Sequence, residues 1–411
     1  MHPPQAKIAT SRRPVADPDA SCTRLRHVAW RPRYAVLIAG AALAATRCSG
    51  EHATGPGASS SSLTLVAGGE HTCRIQAGGS AYCWGYNMNG DLGNGDTATL
   101  VRIPVAVAGG LSFATLTAAA DHTCGVTSSG TAYCWGWNSM GELGTGDTIS
   151  HATPIPVAAP VPFSTLTAGG SLWSRTCGLT SAGTAYCWGS RSSGQLGVGD
   201  SLNVHPIPTL VVGDIAFTEL SAQGYFHVCG VARSGAAYCW GYNNLGQLGV
   251  GDSTNRSTPV PVAGGLVFKT VAAGGLHTCG LTTDGAAYCW GSNGAGESAG
   301  QPIPVKVGGG LTFVSLAVGD YHNCAVTATG AAYCWGGNAW GELGITFDSL
   351  KSKLPLPVSG SLSFSSLAAG LYYTCGVASD RATYCWGDNS SGQLGDGTGN
   401  SSYQPVRALL P

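Results

Sequence analysis

The residue type with the most chemical potential in this chain is cysteine, with 16 copies among 411 residues. All but Cys22 and Cys48 fall into pairs ten positions apart. These are Cys73 with Cys83, Cys124 with Cys134, Cys177 with Cys187, Cys229 with Cys239, Cys279 with Cys289, Cys324 with Cys334, and Cys375 with Cys385. Paired thiols can hold zinc or form a disulfide. Zinc sites want cysteines two to four residues apart and four converging ligands, which one pair per repeat does not supply. The segment Thr123–Gly136 shows how a bridge would form. Two β-prone runs flank Ser128-Ser129-Gly130, and a three-residue hairpin loop often ends on a left-handed glycine. With Gly130 in that place, residues whose numbers sum to 258 face each other, so Cys124 lies opposite Cys134. Opposed Cβ atoms there sit about 4.5 Å apart, within reach of a slightly strained disulfide. Closing so short a loop stabilises by about 2–3 kcal/mol. The seventh copy carries Arg381 in place of the loop glycine, which predicts a different turn.

Histidine stands two positions before the first cysteine in five copies, at His71, His122, His227, His277 and His322, with Arg175 and Tyr373 in the others. A repeated histidine could form a metal ring. As a position of the repeat, it is expected instead to hydrogen-bond backbone in its own or the next unit. The turns ending at Asp96, Asp147, Asp200 and Asp252 lack the alternating oxygen ligands of a calcium loop and read as aspartate-capped turns. There is no Gly-x-Ser-x-Gly, no phosphate-binding glycine loop and no lone cysteine beside a histidine. The expectation is no enzyme, no metal and no cofactor.

The positions that differ between copies are more informative. Three residues before the first cysteine and three after the second, the hairpin carries facing pairs at the end away from its turn. They are Glu70 with Tyr86, Asp121 with Trp137, Ser174 with Ser190, Phe226 with Tyr242, Leu276 with Ser292, Tyr321 with Gly337, and Tyr372 with Asp388. The third copy inserts Leu172-Trp173 beside its pair. Clustered surface aromatics are what binding hot spots use. Tyr86, Trp137, Trp173, Phe226, Tyr242, Tyr321 and Tyr372 are therefore the candidate partner-binding residues. The competing reading is that these rings pack against the adjacent unit as core.

The elements that must position these residues repeat as well. Cys-Trp-Gly recurs with its tryptophan at 84, 135, 188, 240, 290, 335 and 386. A period near 50 with short β-rich segments predicts propeller blades rather than helical solenoids. After each hairpin comes Gly-x-Leu-Gly, as in Gly141-Glu-Leu-Gly144, degenerate only at Gly296-Glu-Ser-Ala-Gly300. Its leucine is expected to fill the space between blades. A Pro-x-Pro edge follows, as in Pro154-Ile-Pro156, Pro206-Ile-Pro208 and Pro259-Val-Pro261, where no ladder donor is missed. The expected fold is all-β, a seven-bladed propeller with an intra-hairpin disulfide in each blade.

Cys239-Trp-Gly-Tyr-Asn-Asn-Leu-Gly-Gln-Leu-Gly249, preceded by His227-Val-Cys229, resembles the regulator-of-chromosome-condensation repeat. The resemblance covers residues 62–411 and implies a closed ring of seven blades. The chain starts inside a unit at Leu63–Gly68 and ends on Gln404–Leu409, so both ends are expected to share one blade. A secreted bacterial branch of that family inhibits β-lactamases through such a face, which makes an inhibitor role one implied function. The founding member exchanges guanine nucleotides on a GTPase, an alternative at odds with an exported chain.

Export is read from residues 34–45, a 12-residue apolar run after Arg24, Arg26, Arg31 and Arg33. Basic flank, short apolar run and small residues are the layout of a secretory signal. Cys48 and the following Gly/Pro/Ser-rich stretch resemble a lipoprotein tether, although Arg47 stands where a small residue is usual. Residues 1–47 are thus read as an export segment, 48–61 as a linker and 62–411 as the propeller. The location is extracytoplasmic, secreted or lipid-anchored through Cys48. The formal net charge of −1 gives no basic surface for nucleic acid. The expected partner of this monomer is a protein or glycan.

Overall fold

The computed structural model describes residues 64–170, 173–292, 300–346 and 350–411, all as strands, turns and loops. The apolar run at 34–45, Cys48 and the degenerate turn at 296–300 fall wholly or largely outside them. Seven four-stranded antiparallel sheets follow one another along the chain. They run Leu65–Ala106, Phe113–Pro156, Thr165–Leu210, Phe217–Pro261, Phe268–Lys306, Ser315–Pro357 and Phe364–Arg407, blades 1 to 7. Each blade is one contiguous stretch. The expectation that the two chain ends share a blade is therefore wrong: Leu65–Ala67 lies in blade 1 and Ser402–Arg407 in blade 7. Blade 7 meets blade 1 through side-chain and loop bonds, such as that from the Gly397 amide to the Arg102 carbonyl (3.1 Å).

Within blades the expected hairpin holds. Cys124 pairs with Cys134 and Val126 with Ala132, and Gly130 has a φ of +83°. All seven expected bridges form, one per blade. Cys73 is bonded to Cys83, Cys124 to Cys134, Cys177 to Cys187 and Cys229 to Cys239. Cys279 is bonded to Cys289, Cys324 to Cys334 and Cys375 to Cys385. Their Cα atoms lie 4.0–4.1 Å apart, the close spacing of a non-hydrogen-bonded pair. Copy seven does not change its turn, contrary to expectation. Arg381 itself adopts a φ of +67°, and its amide donates to the Ala378 carbonyl at 2.9 Å as Gly130 does to Thr127. The Arg74 guanidinium, from blade 1, holds the Arg381 carbonyl at 2.6 Å.

One clasp joins successive blades. The Thr123 hydroxyl of blade 2 donates its single proton to the Asp91 carbonyl in the Gly-x-Leu-Gly turn of blade 1 (2.8 Å). Trp135 Nε1 donates to the same carbonyl (2.9 Å). With its proton spent, Thr123 Oγ1 accepts from Nε2 of His71 in blade 1 (2.8 Å). The same set recurs as His122–Thr176 on the Glu142 carbonyl and His322–Thr374 on that of Glu342. The histidine partner is thus a side chain of the next blade, correcting the expected backbone bond. Burial drops His71 to about 4 and His122, His227 and His322 to about 3, so the rings are neutral. Leu92 fills the seam beneath, in one cluster with Phe113 and Trp135. A Cβ on Gly93 would sit 2.6 Å from the Trp135 ring nitrogen, and its φ is +68°, so only glycine lets the turn close.

Three seams are built differently. Between blades 5 and 6, Asn323 stands where the threonine belongs and its Oδ1 accepts from His277 Nε2 (2.9 Å). Blade 4 has Val228 where the threonine belongs, and blade 3 answers with Arg175 in place of histidine. Its guanidinium donates to the carbonyls of Ala222, Gly224, Tyr225 and His227 at 2.6–3.0 Å. At the 7–1 closure the Tyr373 hydroxyl donates to the His71 carbonyl (2.6 Å), while Thr72 and Trp84 take the Gln393 carbonyl. The proline-bearing strands lie outermost in their sheets. Loop amides of the preceding blade tie them down, as Gly95 does to Ala152 (2.9 Å). The same tie recurs from Gly146 to Pro206, Gly251 to Pro302 and Gly397 to Arg102.

Candidate functional site

The open ends of the seven hairpins lie on one face. At each, the amide of the later pair member donates to the carbonyl of the earlier one, as Trp137 does to Asp121 at 2.8 Å and Tyr242 to Phe226 at 2.9 Å. Trp137, Trp173 and Tyr321 are exposed, at 41%, 39% and 42% of their surface. Tyr86, Phe226, Tyr242 and Tyr372 are half-buried. None of the seven candidate rings belongs to the core. In blade 3 the pair itself, Ser174 and Ser190, is buried, and the inserted Trp173 takes its place at the surface. The acidic turns cap themselves as expected, with Asp147 Oδ1 accepting from the Ile149 amide (3.1 Å) and Asp252 Oδ1 from Thr254 (2.8 Å).

The face has two sectors. Blades 4, 6 and 7 carry the aromatic one. Phe226 packs edge-on between Tyr225 (6.1 Å) and Tyr242 (5.8 Å). Tyr321 stacks on Tyr372 at 5.1 Å, with Trp340 6.4 Å from the latter. The Tyr225 hydroxyl reaches that of Tyr321 at 3.5 Å. Beneath it, burial pushes the Asp320 carboxyl up to about 7, opposed by its bond with Tyr225. Tyr225 and Trp340 were not legible as site residues, because both lie outside the facing pairs. The signal for Trp340 is its place just before the Gly-x-Leu-Gly turn, where Met140 and Leu245 also stand.

Blades 1 and 2 carry the acidic sector, formed by Glu70, Asp91, Asp121 and Glu142. Burial pushes Asp91 up to about 8, helped by the Asp121 charge, and Glu142 up to about 7. Asp121 rises to about 6 through burial and the neighbouring Glu70. The exposed Trp137 and the half-buried Tyr86 are the sector's rings, each directly across its hairpin from Asp121 and Glu70.

The axis offers little room. Its cavity, about 30 Å³, is lined largely by small residues such as Gly69, Ala120 and Gly319, with Tyr225 and Asp320 among the few larger ones. That holds about one water. Among the described residues no group of histidine, cysteine, aspartate and glutamate could hold a metal ion.

Comparisons place this architecture. The ultraviolet-B receptor UVR8 of Arabidopsis thaliana is 35% identical over 198 residues, 47% of this chain and 44% of that protein. The chain thus spans under half the length of that relative. Among solved structures, yeast RCC1 (Prp20), seen bound to Kap60, superposes with a TM-score of 0.71 at 21% identity, covering 85% of this chain and 84% of that one. Human WBSCR16 gives 0.71 at 18% identity, covering 80% and 94%. An RCC1 repeat model matches residues 364–393. With the RCC1-like domain model matching residues 56–358, through six of the seven clasped blades, the chain belongs to the RCC1-like domain family.

Proposed function

We propose that this chain is an exported, non-catalytic binding propeller that holds a protein or glycan partner on the hairpin-end face. The observation that carries the reading is exposure at the variable positions. The seam residues that recur are buried, whereas Trp137, Trp173 and Tyr321 lie at the surface, with Trp340 beside them at 46% exposure. Large rings left in water are unfavourable for a monomer and favourable for an interface, where they bury much area at small entropic loss. An enzyme inhibitor is the special case in which the captured surface is an active-site loop.

Seven disulfides fit an oxidising compartment, in keeping with the basic-then-apolar N-terminal layout. Cys48 is the residue that a lipid anchor would use.

The test replaces Trp137, Phe226 and Tyr321 together by alanine and compares capture of native cell-envelope partners. Folding should persist and capture should fail. A steep fall in melting temperature would show these rings to be core, and unimpaired capture would remove the face from the function. Thiol counting on fractionated cells, without reductant, tests the location: fourteen reactive thiols in a cytosolic fraction would end the export reading.

A further inference from the structure

The leucine of the Gly-x-Leu-Gly turn has a second duty besides filling the seam. In blades 1, 2, 3, 4, 6 and 7 it shares one buried cluster with its own blade's sulfur bridge and the next blade's tryptophan. Leu248 does so with Cys229, Cys239 and Trp290, and Leu343 with Cys324, Cys334 and Trp386. The six leucines and the twelve cysteines beside them have no exposed surface. Blade 5 lacks this residue. From Ser292 to Gly300 the chain reads Ser-Asn-Gly-Ala-Gly-Glu-Ser-Ala-Gly, with no apolar side chain larger than alanine. The cluster around Trp335 holds Leu281, Phe313 and Ala325, and no turn leucine.

The bridge of blade 5 differs accordingly. Cys279 is wholly buried, but Cys289 is only half-buried, alone among the fourteen bridged cysteines. The buried sulfur also meets a different neighbour. In blades 2, 4, 6 and 7 it faces a threonine hydroxyl of the next blade at 3.7–4.0 Å. Cys279 Sγ instead lies 3.1 Å from Asn323 Oδ1, an amide oxygen able to accept from a thiol. Opening a disulfide requires a thiolate to reach one of its sulfurs, so the rate follows access and depends on which sulfur is met first.

We propose that Cys289 is a site of thiol exchange, at which a small-molecule thiol opens the blade 5 bridge while the other six stay closed. The thiolate attacks Cys289 Sγ and forms a new S–S bond with it. The Cys279–Cys289 bond breaks, and Cys279 leaves with the electron pair. It takes a proton from water and, as a thiol, donates to Asn323 Oδ1. The incoming thiol is oxidised to a mixed disulfide and Cys279 is reduced, so the exchange needs no outside oxidant. The site is independent of the hairpin-end face and of what that face holds.

The experiment incubates the folded full chain with glutathione near neutral pH. Early samples are quenched in acid, unfolded, capped with N-ethylmaleimide and mapped by mass spectrometry without reduction. The blade 5 bridge should open about tenfold or more faster than any other, with glutathione on Cys289 and the maleimide on Cys279. Seven bridges opening at similar rates, another bridge opening first, or early glutathione on Cys279 would each overturn the site. Leu248→Ala tests the cause, since it removes the same cover from blade 4. Cys229–Cys239 should then join the exchange while the other five bridges stay closed. If it stays as slow as in the parent, the missing leucine does not open blade 5 and the inference fails. If Leu248→Ala fails to fold, all its bridges open together, and the order found in the parent decides.

Discussion

His122 and Asp121 are neighbours in sequence, yet they belong to two regions under opposite rules. His122 is part of the seam, where histidine, threonine, tryptophan and leucine recur around the ring. Asp121 is part of the rim, where every copy differs. At the seam each side chain meets a fixed partner in the next blade, so a change in one must be answered by the other. The pairing of Arg175 with Val228 is such an answer: four carbonyls replace one hydroxyl. At the rim the Trp137 ring bonds only Ser139 of its own blade, and among the described residues none of the next blade is matched to it. Positions vary freely where the fold makes no use of them, and those are the positions a partner can read.

The largest effect should come from breaking the exceptional seam. Arg175→Ala leaves four buried carbonyls without a donor and should destabilise by about 4 kcal/mol in denaturant unfolding. R175H alone should also be poor, whereas R175H with V228T rebuilds the common clasp and should recover more than half of the loss. A double variant no more stable than R175H would refute the compensation.

Next in size is the bridge within a blade. C124A with C134A should cost about 2–3 kcal/mol. An unchanged unfolding midpoint would mean that the hairpin is held by its neighbours alone.

The two regions should also titrate oppositely. Histidines buried neutral at about 3–4 leave the unfolded chain holding more protons, so they lose stability as pH falls from about 6.5 toward 3. The rim carboxyls Asp91, Glu142 and Asp121, raised to about 8, 7 and 6, hold more protons when folded. Their contribution is full below about 4 and is lost as pH rises to about 8. Glu219 and Asp320, both raised to about 7 by burial, act in the same sense. Melting temperature should therefore peak near pH 5–6 and fall on both sides. D91N/E142Q should flatten the alkaline limb and leave the acid limb alone; a flattened acid limb would assign the titration to the wrong region.

The smallest effect should be at the rim itself. Trp137→Ala should change stability by only about 0.5 kcal/mol, measured in the same denaturant series, since the ring lies 41% exposed. A loss several times larger would move Trp137 into the core.

Hairpin register, bridge pairing and the facing rim pairs were legible because strand pairing is arithmetic once a turn residue is placed. The turn of Arg381 was not. The rule that φ > 0 calls for glycine is local, and here Arg74 from another blade holds the strained peptide. The rim's carboxylates were hidden for a similar reason. Asp91 and Glu142 occupy a turn position whose neutral role is clear from the repeat, and only packing shows which oxygens are left without donors.

By itself, then, the sequence determined what lies inside one repeat: four strands, a sulfur bridge, a turn that needs glycine and an edge that tolerates proline. Each of these depends on residues close along the chain. Only the tertiary structure decided how blade 7 meets blade 1, which seam needs an arginine, and which rim side chains share a sector. Those outcomes depend on side chains some 50 to 300 positions apart, and sequence order carries no distance between them until the ring has closed.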